Sequence, residues 1–291
     1  RTYPEYDNWT PRNADNNYEG YYTLKGALSK SINTIAVEVL QQTGIDVVIN
    51  HARSLGITTA LPPYPSLALG VADIPLREMV SPFMAFANNG VLMTPYYLDE
   101  IRTRDGKIIY QAPKSVGQKV LPANEAHIMS NILASVINEG TGQRLRSTYG
   151  LQNEMAGKTG TTQNQVDGWF IGYTPRLVVG VRVGANDINI HFNSLRLGQG
   201  ASMALPIYGE FMKRCERSNT YSRWKNISFP VPIMNDADNL KTPEFKDHLN
   251  FLDKLTNRKL DKVNHTEVDS LTSGNKKKEG FFKRLFKRKK R

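Results

Sequence analysis

The sequence predicts a mixed α/β (α+β) fold in which helices flank an antiparallel sheet. Three observations carry this expectation. Residues 155–162, 168–173 and 177–185 are consecutive short runs of strand composition with short connections, which read as three successive antiparallel strands. Before them, residues 75–90 and 122–138 repeat apolar side chains every three to four positions, the period of a helix with one buried face. After them, residues 203–214 repeat the helical pattern and are placed to pack on the sheet just formed.

The elements follow in order. Residues 1–20 are polar, rich in Asn, Asp, Tyr and Pro, and read as a loop. Thr23 is the expected N-cap of a short helix over 24–29. A second helix, about 34–42, has Ile35, Ala36, Val39 and Leu40 on one face, and a third covers about 46–55. Pro62-Pro63-Tyr64-Pro65 makes a rigid loop. Pro75 then opens a helix whose Leu76, Met79, Val80, Phe83 and Ala87 form a core stripe, with Gly90 as its end. Residues 96–102 and 107–110 form a hairpin around Asp105-Gly106. The helix over 122–138 is expected to bury Ile128, Met129, Ile132, Leu133 and Val136. From about residue 219 the periodicity weakens. The expected organisation is a folded domain over 1–218, a polar extension over 219–273 and a basic tail over 274–291.

Composition excludes several function classes. The net charge of +11 is a property of the tail: residues 274–291 hold ten Lys/Arg and one Glu, which leaves residues 1–273 at +2. A nearly neutral folded part argues against a nucleic-acid-binding surface. One cysteine, Cys215, excludes an intrachain disulfide framework and reads as a buried structural thiol. The five histidines, His51, His127, His191, His248 and His265, lack metal-ligand spacing, and there is no Gly-rich phosphate loop, so neither a metal nor another cofactor is expected. No segment has 18 consecutive apolar residues.

The chemistry concentrates in Lys158-Thr159-Gly160-Thr161-Thr162 and the return strand Asp167-Gly168-Trp169-Phe170-Ile171-Gly172-Tyr173-Thr174-Pro175. On a strand, Lys158 supplies a positive charge and Thr159 and Thr161 supply hydroxyl donors. Gly160 lets a ligand lie close to the backbone, an arrangement suited to a substrate carboxylate beside a reactive carbonyl. Read singly, Lys158 is a strand surface charge and the threonines reflect β-propensity. Upstream, Ser31-Ile32-Asn33 falls in a break between two helical patterns. There Ser31 either caps the helix beginning at Thr34 or points into a cleft. Ser-x-Asn followed far downstream by Lys-Thr-Gly makes two of the three elements of a serine acyl-transfer signature, with Ser-Ile-Asn in place of Ser-Asp-Asn.

With Tyr22-Thr23-Leu24-Lys25-Gly26-Ala27-Leu28-Ser29-Lys30-Ser31-Ile32-Asn33, Glu139-Gly140-Thr141-Gly142-Gln143-Arg144 and Met155-Ala156-Gly157-Lys158-Thr159-Gly160-Thr161-Thr162, the chain resembles the C-terminal part of the transpeptidase domain of class A (bifunctional) penicillin-binding proteins. The likeness covers roughly residues 1–215. It implies a β-lactamase/transpeptidase-like fold whose N-terminal part lies outside this sequence. It also implies D,D-transpeptidation of peptidoglycan stem peptides ending in D-Ala-D-Ala, trapping by β-lactams, and a glycosyltransferase domain upstream. The implied location is periplasmic or extracytoplasmic, with an anchor in the inner or plasma membrane. Carried over residue by residue, the resemblance gives Ser31 a proton relay to the leaving amine and gives Asn33 the orientation of the base and a bond to the substrate amide. Lys158 would bind Ser31 and supply positive potential. Thr159 and Thr161 would hold the carboxylate, and the Thr161 N–H would be one oxyanion donor.

The family's nucleophile, the serine of a Ser-x-x-Lys motif, is expected upstream of this sequence, so the 291 residues alone are expected to be inactive. Ser222-Arg223-Trp224-Lys225 and Ser273-Gly274-Asn275-Lys276 match literally but follow the Lys-Thr-Gly strand, in the wrong order. Two rivals use the same cleft: a D,D-carboxypeptidase or β-lactamase, in which water replaces the acceptor amine, and a non-catalytic binding module. In the tail, Phe281, Phe282, Leu285 and Phe286 would line one helical face opposite Lys283, Arg284, Lys287 and Arg288. Residues 281–291 thus read either as an interfacial helix on an anionic membrane or as a solvated tail.

Overall fold

The computed structural model describes residues 1–233, apart from residues 19, 188, 223 and 224. The expected tail, most of the extension, His248, His265 and the Ser-x-x-Lys match at 273–276 lie outside the described residues.

Two short helices open the fold. α1 (Leu24–Lys30) starts where Thr23 accepts from the Gly26 N–H at 3.0 Å, as its N-cap role requires. It ends at Ser31, a non-glycine residue at φ 59°, with the Ser31 and Ile32 N–H groups returning to Leu28 and Ala27 carbonyls. α2 (Asn33–Thr43) and α3 (Ile45–Ser54) follow. In α2 the expected face is corrected. Val37 and Leu40 are buried, while Ile35, Ala36 and Val39 are only half-buried, because the 3₁₀ turn Pro65–Leu69 and α3 both pack on this helix.

α4 (Leu76–Ala87) begins after Pro75 as expected. Its apolar stripe meets the sheet: Phe83 lies edge-on to Tyr173 at 6.1 Å between ring centroids. The stripe nevertheless stays half-buried, and full burial falls on Glu78, Ser81 and Ala85. The helix is covered on a second side, where Ala85 joins Leu55, Leu121 and Ala126 in a small core. There the Glu78 carboxylate accepts from the Thr59 N–H at 2.9 Å and from the Thr58 hydroxyl and N–H, both at 2.8 Å. These bonds, led by that from the Thr59 N–H, hold its acid down to about 2.

A small β region follows. β1 (Val91–Met93) pairs antiparallel with β4 (Gly117–Lys119), a pair too short to leave a sequence period. Between them β2 (Glu100–Arg102) and β3 (Ile108–Gln111) form the expected hairpin, with residues 96–99 outside the strand. α5 (Ala123–Asn138) buries Ile128, Leu133 and Val136 as expected, together with Ile137, but leaves Met129 and Ile132 half-buried. The short α6 (Arg144–Ser147) leads to the sheet.

The sheet has the order β5 (Ala156–Thr161), β6 (Asp167–Thr174), β7 (Leu177–Gly184), all antiparallel. Alternation sends Phe170, Leu177, Val179, Val181 and Val183 toward one face, where Leu205, Tyr208 and Met212 of α8 (Gly200–Arg217) close over them. α8 is longer than the expected 203–214, preceded by the one-turn α7 (Leu195–Gly198) and followed by α9 (Asn219–Ser222). The opposite face carries Ala156, Tyr173 and Val178 against Leu133 and Val136 of α5 and Phe83 of α4. Phe229 is buried in this second core with its ring centroid 5.4 Å from that of Tyr173, so the segment around Phe229 packs back on the domain.

Candidate active site

β5 pairs with β6 on one side and forms an edge of the three-stranded sheet. Along that edge the structure gathers residues more than a hundred positions apart. Lys158 Nζ donates to Ser31 Oγ at 2.8 Å and to the Thr159 carbonyl at 2.9 Å. An ammonium has three N–H donors, so one remains for a ligand. Burial pushes this ammonium down to about 8.

Ser31 does not cap α2. The N–H of Thr34 donates instead to Asn13 Oδ1 at 3.1 Å, and the Thr34 hydroxyl reaches the same oxygen at 3.3 Å. Asn13, 5% exposed, is itself tied to the Asn17 carbonyl. A residue of the opening loop thus does the capping, and the Ser31 hydroxyl is left to Lys158. Asn33 takes a different course. Its Nδ2 donates to the Arg12 carbonyl at 2.7 Å, which commits one amide N–H to that loop.

The two threonines of β5 have separate partners. Thr159 Oγ1 lies 2.7 Å from Thr141 Oγ1. Thr161 Oγ1 accepts from the Gly200 N–H at 3.0 Å, the first residue of α8. Gly200 must be glycine, since a Cβ there would collide with the carbonyls of Gly160 and Trp169. Gly160 pairs with Trp169 across the ladder.

The turn after β5 is held by Asp167. Its N–H donates to Thr162 Oγ1 at 3.0 Å, and its Oδ2 accepts from Trp169 Nε1 at 3.0 Å and Arg182 Nε at 2.8 Å. The Arg182 guanidinium also sits 5.9 Å from the Trp169 ring centre. Trp169, expected as a core or cleft-wall aromatic, is half-buried in this cluster.

The sequence places Asn13 in the opening loop and Thr141 in a turn beside the cleft, without naming a partner for either. Neither carries a sequence signal for its contact, because each partner lies 18 or more positions away. Cys215 is half-buried rather than buried, on α8. Among the histidines, His127 Nε2 pairs with Asn89 Oδ1 at 2.9 Å and His191 with a backbone carbonyl. Among the described residues no group of three or more His, Cys, Asp or Glu is placed to hold a metal ion, and no helix is long and apolar enough to cross a membrane.

The penicillin binding protein transpeptidase domain family matches residues 1–193. Penicillin-binding protein 1A of Aquifex aeolicus (strain VF5) is 32% identical over 237 residues, which cover 80% of this chain and 30% of that protein. Penicillin-binding protein 1A of Neisseria meningitidis serogroup A is 32% identical over 211 residues, 70% of this chain and 26% of that protein. The chain therefore spans less than a third of the length of these relatives. Among solved structures, penicillin-binding protein 1A from Haemophilus influenzae superposes with a TM-score of 0.70 at 24% identity, over 77% of this chain and 38% of that one. PonA1 from Mycobacterium tuberculosis does so with a TM-score of 0.66 at 21% identity, over 78% and 64%. At these identities the superpositions establish the shared β-lactamase-like fold, and the match over residues 1–193 establishes descent: the chain belongs to the penicillin-binding protein transpeptidase family.

Proposed function

We propose that this chain is the C-terminal part of a serine D,D-transpeptidase domain that cross-links peptidoglycan stem peptides. The observation that carries this is the 2.8 Å bond from Lys158 to Ser31, which joins the Ser-x-Asn and Lys-Thr-Gly elements across 127 positions. In the reaction a serine Oγ attacks the carbonyl between the two terminal D-Ala residues and the terminal D-Ala leaves as an amine. An acceptor amine from a second stem peptide then displaces the serine from the ester. Ser31 passes the serine proton to the leaving amine. Lys158 keeps Ser31 oriented and supplies positive potential, and Thr159 and Thr161 bind the terminal carboxylate. The Thr161 N–H is one oxyanion donor, a contribution worth about 2.7–4 kcal/mol in such sites. Asn33 presents its remaining polar atoms to the base and the substrate amide.

The nucleophile and its base are assigned to a Ser-x-x-Lys motif upstream in the parent protein, together with a glycosyltransferase domain and a membrane anchor that places the site outside the cytoplasm. Residues 1–218 form the transpeptidase portion and 219–273 an extension whose first part packs back onto it. Liposome co-sedimentation with and without residues 274–291 tests whether the basic residues 281–291 contact an anionic membrane. Intact mass spectrometry after incubation with excess benzylpenicillin tests the assignment. The full-length protein should gain one penicilloyl group, and the 291-residue chain should gain none. An adduct on a serine within residues 1–291 would refute the placement of the nucleophile, and no adduct on the full-length protein would refute the function.

A further inference from the structure

The loop from Glu139 to Arg144 touches α1, β5 and α8, which lead to Ser31, carry Lys158 and Thr159, and hold Thr161. Its Thr141 N–H donates to the Ser29 carbonyl at 3.1 Å, two residues before Ser31. Gly140 packs so closely on that carbonyl that a Cβ would collide with it. The Thr141 hydroxyl lies 2.7 Å from the Thr159 hydroxyl on β5. At the loop's far end Arg144 Nη1 donates to the Ala201 carbonyl at 3.0 Å, one residue beyond the Gly200 N–H that holds Thr161. Short bonds to α1, β5 and α8 converge on six residues.

We propose that Thr141 is a positioning residue, one that sets the direction of the Thr159 hydroxyl for recognition of the substrate carboxylate. The inference rests on the proposed function, in which Thr159 binds that carboxylate. A hydroxyl has a single proton. If Thr159 gives its proton to Thr141, it turns only lone pairs toward an anion. If Thr141 is the donor, the Thr159 proton is free to point at the carboxylate, and the chain Thr141 to Thr159 to carboxylate is polarised along its length. Among the described residues the Thr141 hydroxyl bonds to Thr159 alone, so donating costs it no other bond there. An arriving carboxylate selects this direction, because only this direction gives it a donor. The Thr141 N–H bond to the Ser29 carbonyl holds the loop at the depth this requires.

The test compares acylation of the full-length protein by benzylpenicillin and by its methyl ester, which lacks the carboxylate charge. Thr159→Val is the reference. It should slow benzylpenicillin selectively and narrow the ratio between the two rates. Thr141→Val, which keeps the shape and removes the donor, should lower the benzylpenicillin rate about fivefold while leaving the ester rate within about twofold. Thr141→Ser should restore the ratio. Equal loss with both probes would mean that Thr141 supports only the fold, and the inference fails. The inference also fails if Thr141→Val leaves both rates unchanged while Thr159→Val narrows the ratio. A Thr159→Val variant with an unaltered ratio would instead overturn the carboxylate role of Thr159 and with it the reading on which the inference rests.

Discussion

The face of the sheet beneath α8 and the outer edge of β5 are built from the same strands by opposite means. Beneath α8 the groups are apolar, fully enclosed at the centre and half-buried along β7. Phe170 is 0% exposed and lies edge-on to Tyr208 at 4.8 Å, with Leu205 and Met212 beside it. At the β5 edge the groups are hydroxyls and an ammonium, half-buried at Lys158 and Thr159 and exposed at Thr161, each held by one bond to a distant element. The first region is stabilised by area and packing density, which are non-directional. The second depends on direction, since a hydroxyl turned the wrong way presents the wrong charge to a ligand. Volume changes should therefore damage the first region, and polarity changes of the same size should damage the second.

The largest expected effect is on the closed face. Phe170→Ala removes a buried ring from between β6 and α8 and should destabilise the domain by about 3–5 kcal/mol. Denaturant unfolding of the full-length protein measures this, and its folded fraction should keep its penicillin reactivity. A variant that folds normally yet loses reactivity would break the comparison, because packing would then be acting on chemistry.

Lys158→Ala probes the edge. Acylation of the full-length protein should fall by about 10²–10³-fold, with little change in unfolding temperature. The same residue sharpens the comparison through pH. Its charged form is the one that attracts a carboxylate, and burial pushes it down to about 8 from the ordinary lysine value of 10.5. The acylation rate should therefore fall about tenfold per pH unit above about 8, and Lys158→Arg should flatten that limb. Stability should move the other way. Between about pH 8 and 10.5 the unfolded chain binds a proton that the folded chain has lost, so this residue's contribution to stability rises with pH over that window. Rate and unfolding temperature measured in parallel from pH 7 to 10 should diverge.

The smallest effect belongs to Glu78, a polar group that serves only the fold. Its acid is held down to about 2 by the Thr59 N–H and the Thr58 hydroxyl and N–H. A depressed carboxyl contributes stability above its ordinary value of 4.5 and loses it as pH falls from 4.5 toward 2. Glu78→Gln should remove that part of the acid limb in thermal melts and leave acylation at neutral pH unaffected. A change in neutral acylation would mean that the loop at 58–59 communicates with the cleft.

Local signals carried much of this molecule. The strand composition and short connections of β5 to β7, the helical periods of α4 and α5, the Thr23 cap and the Asp105-Gly106 turn all depend on residues within a few positions of one another, and these elements are in place. The buried faces of α2 and α4 are less legible, because a helix touched on two sides buries residues off its apolar stripe. The three-residue strands β1 and β4 are too short to carry a period. In the site, the Ser-x-Asn and Lys-Thr-Gly motifs were legible as residue types, but no spacing reveals that Lys158 reaches Ser31 across 127 positions. Only the tertiary structure decided which group caps α2, where the Asn33 amide points and what the Thr159 hydroxyl touches. The physical reason is the short range of a hydrogen bond. Propensity and period act along the chain over about a turn, whereas a 2.7 Å contact between Thr141 and Thr159 exists only once helices and sheet have packed and brought a loop to a strand edge.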